Sequence, residues 1–254
     1  MENFCEITFC QQIGSNKRHN QDALFNGEAV FQYKLKTAEK RLENRLENRP
    51  HFIVGVADGI SNSNRPEKAS KLAMQLLSQT ESISRQTIYD LQSSLSAELA
   101  EDYFGSATTF VAAEIDQATH KAKILSVGDS RAYLIDPQGK WQQITQDHSI
   151  LSELLEDFPD KKEEDFATIY GGVSSCLVAD YSEFQDKIFY QEIEIQQGES
   201  LLLCSDGLTD GLSADVREKV WKQYDNDKSR LTVYRKLIEK QRFYDDLSVI
   251  ICAF

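Results

Sequence analysis

The sequence lacks both an even number of cysteines and a CxxC pair. It contains five cysteines in 254 residues, an odd number, and the spacing CxxC does not occur. A disulfide framework is therefore not indicated, since such frameworks pair their cysteines. The pattern predicts free thiols in a reducing compartment, and we expect a cytoplasmic protein.

The chain also lacks long apolar runs and an excess of basic residues. No uninterrupted apolar stretch approaches the ~20 residues of a membrane span, and no basic segment followed by an apolar run marks a signal peptide. The 28 Lys and Arg residues against 41 Asp and Glu leave a formal net charge of −13. Nucleic acids and anionic membranes attract an excess of Lys and Arg, so we expect neither as a partner.

What the chain does have is an ordinary globular composition, with 41% hydrophobic and 27% charged residues. Strands are predicted at residues 4–12, 23–25, 52–57, 108–115, 121–127, 131–135, 141–144, 192–195, 201–204 and 247–254, and helices from Pro66 onward and at 87–100, 149–156, 214–224 and 231–240. Runs of strands with helices grouped between them favour an α+β fold with antiparallel sheets over a doubly wound parallel sheet.

No Pro/Ser-rich linker divides the chain, which predicts a single domain over residues 1–254. Residues 34–50 are strongly polar and carry the small duplication RLENRLEN. Their composition predicts a solvated helix or hairpin inserted into that domain.

The acidic residues are placed where strands begin and end. Asp58, Asp129 and Asp206 come at or just beyond the ends of predicted strands, and Asp245 and Asp246 come directly before the last one. If that strand runs antiparallel to the others, these carboxylates meet at one edge of the sheets, where they repel unless a cation neutralises them. Oxygen ligands alone suit Mg²⁺ or Mn²⁺. The alternative is that each Asp-Gly pair is only a turn.

Seven motifs, in order along nearly the whole chain, resemble those of the metal-dependent protein serine/threonine phosphatases of type 2C. They are residues 20–23 (NQDA), 56–59 (VADG), 105–109 (GSATT), 128–133 (GDSRAY), 145–149 (TQDHS), 204–208 (CSDGL) and 245–250 (DDLSVI). Each motif is weak alone, but their shared order is specific. The chain is similar to the small bacterial-type members of that family, which have one domain.

The resemblance implies a four-layer α-β-β-α sandwich with two central antiparallel sheets and with the metals at one end. The cofactors would be two Mg²⁺ or Mn²⁺ ions, with a third, weaker site. Asp58 would bridge the first two ions, and the carbonyl of Gly59 would complete the second. Asp206 and Asp245 would bind the first ion.

Two further acids take roles through the same resemblance. Asp129, together with Asp206, would serve the third site. Asp22 would hold a water at the metals. The catalytic set implied is Asp22, Asp58 and Asp206, with a cation from Lys17 or Arg18 to hold the phosphoryl oxygens.

Three positions depart from the family pattern. Gln21 stands where many members have Glu, and Lys17 stands where they often have a phosphate-binding Arg, with Arg18 beside it. Residues 60–63 (ISNS) replace the usual glycine pair, and the histidine that some members use there as a general acid is absent. The choice between Lys17 and Arg18 stays open at this point, although the guanidinium fork suits phosphate better by geometry.

The function implied is hydrolysis of phosphoserine and phosphothreonine in proteins by a metal-activated water, opposing a serine/threonine kinase in signalling. We expect a monomer whose partner is a phosphorylated protein substrate of a cognate kinase. One alternative is a weak or inactive relative that binds a phosphorylated partner and regulates it. Another is a phosphoesterase acting on small molecules.

Four other side chains could have either a structural role or a role in the active site. Cys204 is either a buried apolar cysteine or a nucleophile, and an acidic neighbour opposes the low pKa a nucleophile needs. His148 is either a structural residue of its turn or a general acid. Arg131 either pairs with a nearby carboxylate or meets phosphate, and His19 lies beside the candidate phosphate-binding residues.

Overall fold

The computed structural model describes residues 5–33, 35–41, 51–162, 165, 172–184 and 187–254. Within them the strands are β1 (Glu6–Gln12), β2 (Asp22–Phe25), β3 (Val30–Phe31), β4 (Leu35–Arg41), β5 (His51–Asp58), β6 (Ala107–Thr108), β7 (Phe110–Asp116), β8 (Lys121–Val127), β9 (Arg131–Ile135), β10 (Trp141–Gln143), β11 (Leu177–Val178), β12 (Phe189–Glu194), β13 (Ser200–Cys204) and β14 (Leu247–Ala253). The helices are α1 (Pro66–Leu77), α2 (Arg85–Tyr103), α3 (Ile150–Asp157), α4 (Asp206–Thr209), α5 (Ala214–Gln223) and α6 (Asp227–Ile238).

The strands form two large sheets and one small one. The first sheet has the order β10-β9-β13-β14-β1-β4, and the second has the order β12-β8-β7-β5-β2-β3. The pairings in both sheets are antiparallel. Strands β11 and β6 make a separate two-stranded sheet. The last strand, β14, lies in the interior of the first sheet between β13 and β1.

Three hydrophobic clusters define the layers. One lies between the two sheets and includes Phe9, Val54 and Ile250. A second packs α1 and α2 on the outer face of the second sheet, and a third packs α5 and α6 on the outer face of the first. The four-layer α-β-β-α prediction is therefore confirmed. Burial of both sheet faces also explains why β5 reads as a nearly continuous apolar run.

Helices α1 and α2 follow from local sequence rules. Pro66 occupies the first turn of α1, where its missing N–H is not needed. The predicted face of α2, which comprises Ile88, Leu91, Leu95 and Leu99, is buried as a unit. In α1, Ser70 and Met74 are buried, whereas Leu72 and Leu76 are only partly buried.

Two of the predicted elements whose bounds differ from those observed have a clear local cause. The strand expected at 108–115 is broken at Thr109, because the Thr109 N–H donates to the carbonyl of Asp58 (2.8 Å) instead of continuing a regular ladder. Helix α6 begins four residues earlier than predicted, where the Asn226 side chain caps the Ser229 N–H at 2.8 Å.

Part of the polar segment at 34–50 belongs to the first sheet. Residues Leu35–Arg41 form β4, which pairs with β1 along its full length, so this part is not a helix. Residue 34 and residues 42–50, with most of the duplication, lie outside the described residues. Among the described helices, none combines the length and apolar character that crossing a bilayer requires.

Candidate metal centre

Two strands of the second sheet bring the first pair of acids together. Asp22 opens β2 and Asp58 closes β5, and the antiparallel register places these two residues directly opposite each other. The side chain of Asp22 is 0% exposed and that of Asp58 is 9% exposed. The Thr109 hydroxyl accepts the Asp58 N–H at 3.1 Å, so the end of β5 is held on both sides.

The first sheet contributes the residues that face Asp22 from the other side of the site. Ser205 directly follows β13, and its hydroxyl donates to Oδ2 of Asp22 at 2.7 Å. The same hydroxyl accepts the Ser248 N–H from β14 at 3.0 Å. One serine therefore joins β13, β14 and an acid of the other sheet, which places the neighbouring Asp206 at the same edge.

The acids raise one another's pKa. Burial, followed by the charges of Asp22 and Asp206, raises the pKa of Asp58 well above its ordinary value. Burial and then the charge of Asp246 raise the pKa of Asp22 to about 8. Burial is again the main cause at Asp206, whose pKa rises to about 6. These carboxyl groups therefore share one poorly solvated region, as the positions of the acids predict.

Asp129 lies on a turn that only glycine allows. Gly128 has a φ of +102°, and a Cβ there would lie 2.7 Å from the Thr109 Cβ. His148 holds this turn with two hydrogen bonds. Its backbone N–H donates to the Gly128 carbonyl (2.9 Å), and its ring Nδ1 accepts the Gly128 N–H (3.2 Å). Burial, then the charge of Asp206, raises the pKa of Asp129 to about 7. The structural interpretation of His148 thus agrees with its contacts.

Glycine is also required beside Asp58. A Cβ at Gly59 would lie 2.7 Å from the Gln21 carbonyl and from the backbone of Pro66. The Gly59 N–H donates to that same Gln21 carbonyl at 3.1 Å. This close approach packs the loop before β2 against the end of β5, so the two predicted acidic motifs meet.

Lys17 lies inside the site and Arg18 does not. The Lys17 ammonium forms an ion pair with Oδ1 of Asp245 and another with Oδ2 of Asp246 at 3.0 Å. Burial alone would lower the pKa of Lys17, but the charges of Asp246 and Asp245 outweigh it and raise that pKa, so the side chain stays cationic. Arg18 is exposed, as is His19.

The sequence prediction gave no role to Asp246 or Ser205. Asp246 is 0% exposed, and it accepts the backbone N–H groups of Gly14 (2.6 Å) and Gln21 (2.8 Å) as well as Lys17. The only signal for it in the sequence is the doubling of Asp before the last strand. Ser205 carries no signal beyond its place in the motif at 204–208.

The chemistry of the donors fits a hard divalent cation, although the described residues hold no group of three or more His, Cys, Asp or Glu side chains arranged to bind one. The carboxyl groups nevertheless lie close enough to shift one another's pKa. Oδ1 of Asp22 and Oδ1 of Asp206 are buried without a hydrogen-bond partner. A buried carboxylate oxygen needs a partner, and a hard divalent cation would provide one for both of these oxygens.

Two other candidates are explained by their surroundings. Cys204 is fully buried, and burial raises the pKa of its thiol to about 12, which excludes a ready nucleophile. Arg131 donates from Nε to both oxygens of Asp147, at 3.0 and 2.9 Å. The pairing interpretation of Arg131 therefore agrees with the structure.

The sequence matches the family model "Protein phosphatase 2C" over residues 43–232. It is 32% identical over 224 residues to "Serine/threonine phosphatase stp" of Listeria monocytogenes, with 82% of this chain and 80% of that relative aligned.

Solved structures share the fold. The crystal structure of serine/threonine phosphatase Stp1 from Staphylococcus aureus is similar with a TM-score of 0.77 and 22% identity, covering 98% of this chain and 94% of that one. The catalytic domain of the serine/threonine protein phosphatase PstP, solved in complex with two manganese ions, is similar with a TM-score of 0.69 and 18% identity, covering 98% of each chain. At these identities the likeness concerns the fold alone.

Proposed function

The chain belongs to the protein phosphatase 2C family, and on that basis we propose that it hydrolyses phosphoserine and phosphothreonine in proteins by means of a metal-activated water. The observation that carries this proposal is the meeting of Asp22, Asp58 and Asp206 from two sheets, with two buried carboxylate oxygens left without a partner. The substrate would be a phosphorylated protein, and the enzyme would oppose a serine/threonine kinase. The named activity of the Listeria relative supports that substrate class.

The residues that would hold the ions are those at the common edge. The charges of Asp22, Asp206 and Asp129 all act on the pKa of Asp58, which supports a central role for it. We assign Asp58, Gly59, Asp206 and Asp245 to two Mg²⁺ or Mn²⁺ ions, and Asp129 to a third site. When bound, such ions neutralise phosphoryl oxygens and acidify a water molecule.

The chain's own groups orient the reaction. Lys17 supplies the positive charge for the non-bridging oxygens of the phosphoryl group. Asp22, which accepts from the Ser205 hydroxyl, offers its other oxygen to orient the attacking water. Burial of these groups excludes bulk water, and that strengthens each electrostatic contact.

The same proposal covers the protein's setting. It comprises one phosphatase domain over residues 1–254, acting as a monomer in the cytoplasm. The five cysteines lie among the described residues as free thiols, which supports a reducing compartment.

The direct test is hydrolysis of a phosphothreonine peptide with and without Mn²⁺, compared with a panel of sugar phosphates. We expect turnover of the peptide that depends on the metal and clearly lower turnover of the sugar phosphates. Faster hydrolysis of sugar phosphates would favour the small-molecule phosphoesterase. Phosphopeptide binding without turnover would favour the regulatory relative.

Lys17→Met is expected to raise KM for the phosphopeptide by roughly 10- to 100-fold, because a charge-assisted hydrogen bond contributes about 1.5–3 kcal/mol. The neighbouring Arg18→Met is the matched control, with an expected change below about threefold, because Arg18 faces solvent. Steady-state kinetics on both variants decides the choice left open by the sequence. A larger effect at Arg18 than at Lys17 would reverse the assignment.

A further inference from the structure

We propose that Asp246 is a positioning residue that holds Lys17 in place for the substrate phosphate, an inference that rests on the proposed phosphatase function. Neither the sequence motifs nor the comparisons give Asp246 this role. It acts through Lys17 and does not itself touch substrate.

Both oxygens of the Asp246 carboxylate are occupied by one short stretch of chain. Oδ1 accepts the Gly14 N–H at 2.6 Å, and Oδ2 accepts the Gln21 N–H at 2.8 Å and the Lys17 Nζ at 3.0 Å. Gly14 and Gln21 lie at the two ends of the segment that carries Lys17. One fully buried carboxylate therefore fixes the segment and its cationic side chain together.

Lys17 needs such a partner because its side chain is long and flexible. An ammonium has three N–H donors, and here they face Asp246, Asp245 and the Ser61 hydroxyl at 3.3 Å. The Asp245 side chain is 43% exposed and Ser61 is exposed, whereas the Asp246 side chain is 0% exposed. A phosphoryl oxygen can replace either open partner while Asp246 keeps its hold.

Asp245 cannot do the same work, since we assign its carboxylate to a metal ion. The negative charge that remains for Lys17 is then that of Asp246. A carboxylate is also required chemically, because an amide offers only one acceptor oxygen. Asn at this position would turn an NH₂ group toward one of the donors that Asp246 now accepts.

The test is a double-mutant cycle of Lys17→Met and Asp246→Asn. The readouts are the calorimetric Kd for inorganic phosphate in buffer containing Mg²⁺ and, separately, kcat and KM for a phosphothreonine peptide. With Lys17 present, we expect Asp246→Asn to weaken phosphate binding by roughly 10-fold and to raise KM more than it lowers kcat. With Lys17→Met present, we expect Asp246→Asn to change the phosphate Kd by less than about twofold.

A purely structural role predicts a different result. If Asp246 only anchors the backbone through Gly14 and Gln21, Asp246→Asn will weaken phosphate binding equally in both backgrounds, and the proposal is overturned. Asp227→Asn is the matched control, because Asp227 is another buried aspartate paired with a basic side chain, Arg230 at 2.6 Å, on a helix on the outer face of the first sheet. It should leave the phosphate Kd unchanged.

A second variant keeps the test decisive if Asp246→Asn does not fold. If Asp246→Asn does not fold, Asp246→Glu replaces it in the cycle, and the same loss of effect in the Lys17→Met background is expected. Coupled phosphate binding in a protein that hydrolyses no phosphopeptide would sink the proposed function and leave the role of Asp246 standing. Phosphopeptide hydrolysis combined with additive effects of Lys17→Met and Asp246→Asn on phosphate binding would support the proposed function and overturn the role of Asp246. A parent protein that binds no phosphate would also overturn the role of Asp246.

Discussion

Asp206→Asn is expected to lower kcat for a phosphothreonine peptide by more than about 100-fold, since even loss of a group behind a metal ligand commonly lowers activity 10- to 100-fold. Asp206 opens α4, just after Ser205 at the end of β13, and its Oδ1 is buried without a partner. The substitution removes an anionic oxygen that we assign to metal binding and keeps the shape of the side chain.

The fold is expected to survive this change. Burial already raises the pKa of Asp206 to about 6, so the protein gains nothing in stability from its charge. Asp215→Asn is the matched control, because Asp215 is exposed in the first turn of α5. Circular dichroism should match the parent for both variants, and in EDTA the melting temperature of neither variant should fall below that of the parent. Full turnover by Asp206→Asn would refute the metal-centre assignment.

The metal-free protein is expected to become less stable as pH rises from about 5.5 to about 8. Burial, then the charge of Asp246, raises the pKa of Asp22 to about 8 in the folded protein, against an ordinary value of 3.8. Between these values the folded state holds a proton that the unfolded state has released, so the contribution of Asp22 to stability is fully present below pH 3.8 and is lost as pH rises through about 8. Asp58 and Asp129 are shifted in the same direction and add to the effect.

Divalent cations should reverse this trend, because they compete with protons for the same oxygens. In EDTA we expect the melting temperature to fall by at least about 4 °C over this pH range. In Mn²⁺ the fall should disappear, since the cation binds the folded state and its affinity rises with pH. Differential scanning calorimetry with Asp22→Asn as control measures this, and the variant should show a shallower slope in EDTA. A parent protein whose stability in EDTA rises across the range would contradict the assignment.

Most of the architecture could be predicted because its signals are local. The bounds of β8 and β9 follow from short runs of β-branched and aromatic residues between turn residues. The buried face of α2 follows from its 3.6-residue spacing. The strand ends and the order of the motifs then place the acids at one edge. These features depend on neighbours in sequence and need no knowledge of the packed protein.

The remaining features depend on contacts between distant segments. Thr109 interrupts a strand because Asp58, far away in sequence, takes its N–H. Lys17 enters the site and Arg18 leaves it after Asn16 adopts a left-handed conformation with φ of 63°, which composition alone does not reveal. Asp246 has a positioning role only because Gly14 and Gln21 are folded back onto it. The sequence shows that these residues are present, but it does not show which distant residues they contact.

The position of β14 has a consequence for how the enzyme is made. This strand is the last in the chain, yet it lies between β13 and β1 in the interior of its sheet, and Asp245 and Asp246 stand at its start. During synthesis, β1 and β13 therefore have no common neighbour to pair with until residues 247–253 have emerged. The first sheet can therefore close only when β14 is available, and the same step brings Asp245 and Asp246 to the acidic edge.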